Sequence, residues 1–121
     1  MCSIGTEQSP IDINSTSQDI KISDKMELNG YGYVDFKLLQ EDIRMPSYEI
    51  DVPAGEFILN LPDGRKQMFK PFQFNLHSPS EHTINGQHFD LELHILHYYK
   101  GTRNQLGAMI GIFFDVEKAL D

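Results

Sequence analysis

The chain has 121 residues, of which 40% are hydrophobic and 23% are charged, and its formal net charge at pH 7 is -8. These values are typical of one globular domain, and the acidic balance argues against nucleic acid or an anionic membrane as a partner. No apolar run could span a bilayer and no signal segment opens the chain, so we expect an intracellular protein, cytoplasmic or organellar, without membrane insertion.

Short strands separated by turn signals are predicted along the first half of the chain. Segments with a helical period are nearly absent, so the pattern indicates a mostly β fold with antiparallel hairpins. Polar or glycine-containing turns are expected at residues 14–18, 30–32 and 62–64. The strand candidates are residues 11–14, 20–22, 33–39, 48–52 and 56–61.

Residues 72–99 hold all five histidines of the chain. Asn85-Gly86 predicts a two-residue hairpin turn, because a type I′ turn needs two consecutive residues that tolerate positive φ. The loop length fixes the register of the two strands. The expected opposing pairs are Thr83 with His88, His82 with Phe89, and Glu81 with Asp90.

Strand alternation distributes the polar residues of this region over two faces. One face is predicted to carry Glu81, Thr83, His88, Asp90, Glu92, His94 and Leu96, and the other Ser80, His82, Phe89, Leu91, Leu93, Ile95 and His97. In the segment just upstream, Gln73, Asn75 and His77 share a face.

A metal site is predicted where these segments meet. If the strand that ends at His77 lies beside residues 92–97, then His77, His94, Glu81 and Glu92 can converge. Imidazoles would then be the ligands and carboxylates would orient them from behind. His97 points to the opposite face and is expected to pack in the core, and it could chelate together with His94 only if residues 92–97 were helical.

The carboxy-terminal part of the chain adds one more strand. Residues 107–114 read GAMIGIFF, a nearly continuous apolar run that predicts a strand buried on both faces. Residues 116–120 could begin a helical turn. The single cysteine, Cys2, excludes an internal disulfide and is expected to be an exposed terminal thiol.

Three motifs resemble the α-carbonic anhydrases. They are QSPIDI at residues 8–13, SPSEHTING at residues 78–86 and LELHILH at residues 91–97. That family carries a His-x-His pair, a Ser-Glu-His segment and a Glu-x-His pair, and three of its histidines hold zinc. The resemblance implies an antiparallel or mixed sheet like the amino-terminal half of that fold. It also implies a single domain over residues 1–121 that is incomplete at the carboxy terminus.

The resemblance assigns roles to individual residues of this chain. His77 matches the second zinc ligand and His94 the third, whereas Asn75 occupies the position of the first. The supporting residues are present: Glu92 matches the carboxylate bonded to the third ligand, Gln73 the amide behind the first, and Glu81 with His82 a buried polar pair.

Asn75 puts the family's chemistry in doubt. A neutral amide oxygen is a poor substitute for imidazole on zinc, whose catalytic sites use three protein ligands. We therefore expect zinc to be the cofactor if the chain is active and none to be bound otherwise, and we name no catalytic residue. The family's proton-relay histidine has no counterpart before His77, and its pocket wall and hydroxide-orienting threonine come from a carboxy-terminal half that we expect this chain to lack.

Two hypotheses remain open. The favoured one is a pseudoenzyme: a carbonic-anhydrase-like domain that has lost catalysis and is a structural or interaction subunit of a larger assembly. Its apolar strand edges would need a protein partner or a second copy to cover them. The alternative is a zinc lyase that hydrates carbon dioxide by activating water, with the third ligand and the pocket wall supplied by another chain or a missing half.

Overall fold

A computed structural model describes residues 6, 8–16, 26–32, 36–40, 46–50, 55–61, 63–102 and 105–116 of the chain. Every regular element in these ranges is a β-strand, which confirms the predicted mostly β class. No helix in the described ranges is long and apolar enough to cross a membrane. The predictions for residues 20–22 and 117–120 lie outside the described residues.

In the described ranges, ten strands form two sheets. The larger sheet has the order β10-β9-β6-β4-β3, with β5 also paired to β6 and β2 paired to β5, and the smaller one has the order β1-β7-β8. The strands are β1 Asp12–Ile13, β2 Met26–Asn29, β3 Phe36–Gln40, β4 Ser47–Ile50, β5 Glu56–Asn60, β6 Lys66–His77, β7 Thr83–Ile84, β8 Gln87–His88, β9 Leu91–Tyr99 and β10 Leu106–Phe114.

The strand predictions for the described residues are largely confirmed, with two omissions, which are β2 and residues 66–71 of β6. The sequence patterns did not predict β2, although Met26 and Leu28 alternate with Glu27 and Asn29. Four residues are a short run, and all four are exposed, so the strand carries little of the hydrophobic signal by which strands are recognised.

The long strand β6 organises the larger sheet. Along one edge it pairs with β9 over most of its length, and all of its pairings are antiparallel. Its other edge is shared, because β5 pairs with residues 66–69 and β4 with residues 73–75. β6 therefore contributes both to the aromatic core, through Phe69, and to a group of polar side chains near its end, through Asn75 and His77.

A β-bulge in β6 separates these two functions. Pro71 is opposite His97, but Gln73 is opposite Leu96, so β6 contains one extra residue between them. A bulge suits proline, which has no backbone N–H for the ladder. Because side chains alternate along a strand, the extra residue moves Asn75 to the face opposite that of Phe69.

The hydrophobic core lies on the Phe69 face of the sheet. Phe57 and Phe69 are opposite each other in the ladder and are buried on this face, whereas Ile58, also buried, follows Phe57 on β5 and points to the other face. The Phe57 and Phe69 rings stack with centroids 5.3 Å apart, and the Phe69 and Tyr99 rings lie 5.0 Å apart. These offset aromatic contacts fix how β5, β6 and β9 pack on this face.

His97 is part of this core and is fully buried, as the sequence predicts. Its Nδ1–H donates to the Ile95 carbonyl at 2.9 Å, so its Nε2 accepts the hydrogen bond from the Tyr31 hydroxyl at 2.7 Å. Burial lowers the pKa of His97. Burial, and after it the charge of Glu56, raises the pKa of Tyr31 to about 12.

The prediction that β10 is buried on both faces is wrong. Within the described part of the chain β10 pairs only with β9 and forms the edge of the sheet. Its exposed apolar side chains range from Ile112, 40% exposed, to Leu106, 53% exposed. The apolar run has the composition of a buried strand, but no described element packs against its free edge.

Gly107→Ala is expected to destabilise the fold by about 1–3 kcal/mol, because a Cβ there overpacks the core. That atom would lie 2.9 Å from both Phe69 Cε1 and Tyr99 Cδ2, and Phe69 is only 2% exposed. Urea unfolding measures the effect. Gly32→Ala is the matched control, since its Cβ would meet nothing within 4 Å. Equal midpoints for the two variants would contradict the packing described.

The free energy of unfolding is expected to fall as the pH drops from 7 towards 5. Since burial lowers the pKa of His97 in the folded chain, the unfolded chain takes up protons first, and stability present above the unfolded pKa is lost in acid. Urea unfolding across this range should give a shallower pH slope for His97→Gln. Gly32→Ala, which leaves every titratable group in place at an exposed position, should keep the original slope. An unchanged slope in His97→Gln would refute the assignment.

Candidate metal centre

The pairing of β6 with β9 builds a polar cluster on the face opposite the aromatic core. Asn75 lies directly opposite His94, and His77 lies opposite Glu92. The His77 and His94 rings are tilted against each other with centroids 4.3 Å apart. The two imidazoles named from the sequence are thus brought together by strand register alone.

Glu92 is the hydrogen-bonding hub of the cluster and is 1% exposed. Its Oε2 accepts from the backbone N–H groups of Glu81, at 2.8 Å, and His82, at 3.1 Å. Its Oε1 lies 2.7 Å from His82 Nδ1. Burial acts to raise the pKa of Glu92, but these hydrogen bonds outweigh it and the pKa is lowered. Glu92 is therefore a buried carboxylate held in its charged form.

His94 packs against this carboxylate and is 3% exposed. Its Nε2 is 3.2 Å from Glu92 Oε2, but the contact lacks the alignment of a hydrogen bond. The arrangement is the one in which a carboxylate orients an imidazole for a cation.

His77 is buried and has its own carboxylate. Its Nδ1 lies 2.8 Å from Glu81 Oε1, and its buried Nε2 has no hydrogen-bond partner among the described groups. Burial is the main cause that lowers the pKa of His77, and the neighbouring His94 adds to it, while Glu81 opposes it. A lowered pKa favours neutral imidazole, the form that binds metal ions.

Asn75 does not complete this pair of imidazoles. The Gln73 side-chain amide donates to Asn75 Oδ1 at 3.0 Å, so the only oxygen of Asn75 that could bind a cation already accepts a hydrogen bond. The orphaned Nε2 of His77 could bind a zinc ion together with the His94 ring. Asn75 leaves the third position of a three-imidazole site without an imidazole.

The predicted hairpin turn is confirmed, with Thr83 opposite His88 and positive φ at Asn85 and Gly86. Its continuation is not, because β8 ends at His88 and the Ser80 N–H donates to the Phe89 carbonyl. The expected pairs His82 with Phe89 and Glu81 with Asp90 do not form in the ladder.

The break after β8 also overturns two expectations about the neighbouring side chains. His82 and Glu92 were assigned to opposite faces, but they are hydrogen-bonded, since alternation does not run through an interrupted strand. Glu81 and His82 were expected to be a buried pair. The Glu81 side chain is 41% exposed and that of His82 is 20% exposed.

Residues outside the predicted set also form this centre. The Ser9 hydroxyl lies 3.3 Å from His82 Nε2, and both line a cleft of about 230 Å³ with His94, Met109 and Gly111. A Cβ on Gly111 would lie 3.1 Å from Glu92 Oε1. A glycine within an apolar strand indicates close approach of another group, so Gly111 could have been found from the sequence.

The sequence matches known proteins over almost its whole length. The family model for eukaryotic-type carbonic anhydrase matches residues 1–119. Alpha carbonic anhydrase 8 of Arabidopsis thaliana is 32% identical over 99% of the chain, and carbonic anhydrase Nec1 of Nesocodon mauritianus is 33% identical over 95%. The chain spans only 32% and 39% of these two relatives.

Solved structures agree with the sequence matches. The α-carbonic anhydrase from Thermovibrio ammonificans, in complex with the inhibitor sulfanilamide, has a TM-score of 0.74 and 33% identity, over 98% of this chain and 47% of that one. The Photobacterium profundum α-carbonic anhydrase has a TM-score of 0.72 and 27% identity, over 99% and 49%. The chain therefore belongs to the eukaryotic-type, or α, carbonic anhydrase family.

Proposed function

We propose that this domain does not hydrate carbon dioxide and acts instead as a structural or interaction module. The observation that carries the proposal is the state of Asn75, whose amide oxygen accepts a hydrogen bond from Gln73 at 3.0 Å. The family uses zinc with three imidazoles, and this chain offers two at the corresponding positions.

The chemistry of Asn75 supports the loss of activity. A cation at the family position would have to compete with the Gln73 amide for an uncharged oxygen, and zinc prefers imidazole or thiolate to such a donor. With two firm ligands, the ion would be held weakly and with an undefined geometry. We therefore expect the domain to retain zinc only weakly.

Proton transfer, like zinc binding, lacks one of the residues that the family uses. The family relays protons through a histidine upstream of the zinc strand, and no histidine occurs between Met1 and Leu76. The tyrosine that is buried near the sheet, Tyr31, has its pKa raised to about 12 and is bonded to His97 on the opposite face. It is a poor proton carrier at neutral pH.

The edge strand β10 supports an interaction role. It presents exposed apolar side chains along an edge that has no partner strand among the described residues. From Leu106 to Phe114 it carries no charged residue, so antiparallel pairing with a second copy brings no like charges together. The second copy is the partner that we propose, because a two-fold axis makes an uncharged edge complementary to itself.

A zinc-dependent hydratase is the second candidate function, and the orphaned, buried Nε2 of His77, close to the His94 ring, favours it. Zinc bound there would supply Lewis-acid activation of water. Glu92 and Glu81 already hold the two imidazoles in position. A third ligand and a substrate wall would have to come from another polypeptide.

Asn75→His is expected to restore a three-imidazole site, because the residue lies directly opposite His94 and on the face of His77. After treatment with a chelating resin, the variant should retain near-stoichiometric zinc while the unmodified chain loses it. Elemental mass spectrometry measures the metal, and stopped-flow hydration of carbon dioxide is run on both proteins.

Asn75→Ala is the matched control for this comparison. It removes the amide without adding a ligand, and its zinc content should equal that of the unmodified chain. Near-stoichiometric zinc in the unmodified chain, together with measurable hydration, would overturn the proposed function in favour of the hydratase.

Light scattering after gel filtration is expected to show a concentration-dependent dimer, which Ile112→Lys should dissociate. A lysine on the edge strand places two positive charges near each other across the pair. Met26→Lys, an exposed apolar residue on β2, is the control and should leave the dimer intact. A monomer at all concentrations would exclude the second copy as the partner.

A further inference from the structure

One set of possible donors combines the two imidazoles of the family's zinc position with a nearby carboxylate. The possible ligand atoms of His77, Glu81 and His94 all lie within 4.8 Å of one another. Both imidazoles are more than nine-tenths buried, and His77 Nδ1 already lies 2.8 Å from the Glu81 carboxylate. Two imidazoles and one carboxylate form a ligand set that binds zinc and related divalent ions.

A competing set, His82, Glu92 and His94, is equally compact but is already used. Both oxygens of Glu92 accept hydrogen bonds, from two backbone N–H groups and from the His82 ring. Coordination through Glu92 would break these bonds inside a buried site, which is costly. Glu92 is therefore excluded as a ligand.

Glu81 is free of such constraints. Its carboxylate contacts His77 Nδ1 at 2.8 Å, and its side chain is 41% exposed. A carboxylate that borders solvent can rearrange at small cost and can guide a cation towards the imidazoles. It is the acidic group of the cluster that is able to become a ligand.

His77 could bind a cation in two ways. Through Nε2, with Glu81 behind it as an orienting group, the ion would have two imidazole ligands, one fewer than the three protein ligands of typical catalytic sites. Through Nδ1, the ion would take the place of the proton between His77 and Glu81 and gain both residues as ligands. His94 would then be the third.

We propose that His77 Nδ1, Glu81 and His94 form a weak, reversible site for a divalent transition-metal ion, in which Glu81 replaces the ligand lost at Asn75. The proposal rests on the proposed function in one respect, that Asn75 is not a ligand. For bonds of about 2.0–2.1 Å in a tetrahedron, the His77–Glu81 pair must open to roughly 3.3 Å.

The first test is titration of the intact chain with Zn²⁺ by calorimetry. Glu81→Gln keeps the shape of the side chain and removes its charge, and it should weaken binding at least about tenfold, as loss of a coordinating or supporting group does. Glu27→Gln, an exposed glutamate on β2, should bind as the original chain does. Circular dichroism verifies that each variant is folded.

The second test separates a ligand from an orienting residue. In a Cys2→Ser background, Glu81→Cys should give a thiolate-to-cobalt charge-transfer band in the near ultraviolet when Co²⁺ is added. That band requires a direct sulfur–metal bond. Glu27→Cys in the same background should give none, and His77→Ala added to Glu81→Cys should abolish the band.

The outcomes are separable from those of the proposed function. A folded Glu81→Cys variant without the band, or unchanged Zn²⁺ affinity in Glu81→Gln, overturns the Glu81 site. Weakened Zn²⁺ binding in Asn75→Ala would instead show that Asn75 is a ligand, and would overturn the basis of the proposed function.

Discussion

The register of β6 against β9 is the constraint on which both faces of this domain depend. A single bulge between Pro71 and Gln73 shifts the alternation by one residue, so the same strand packs Phe69 into the aromatic core and presents His77 on the opposite face. Without the extra residue, Phe69 and His77 would compete for one face, and a histidine pair opposite the core could not form.

The carboxylate of Glu92 has a structural function that is independent of any metal. It binds two backbone N–H groups of the segment before β7 and the ring of His82, and His82 in turn contacts Ser9. These bonds fasten the hairpin to β9 in a buried setting, where an unpaired donor would be costly. Glu92 would be needed by the fold even if catalysis were lost, so its presence does not argue for an active site.

The sequence predicts the parts of this centre that depend on local chemistry. Asn85-Gly86 determines the hairpin turn, and alternation within β6 places Asn75 and His77 together, because both follow from the backbone preferences of neighbouring residues. The interruption at residues 89–90 could not be predicted, since it depends on tertiary contacts such as that between Ser80 and Phe89. The alternation of the sequence gives no sign of such a break. It therefore predicts that His82 lies on the face opposite Glu92, whereas the two are hydrogen-bonded.

Glu81 and β10 are both exposed in the described part of the chain. The Glu81 side chain is 41% exposed, and β10 is an edge of the sheet that no described strand covers. Burial would fix the Glu81 carboxylate as a partner of His77 and remove its freedom to bind a cation, because a desolvated charge needs all of its hydrogen bonds. A partner that covered Glu81 would therefore change the chemistry of the centre, because it would fix the carboxylate on His77.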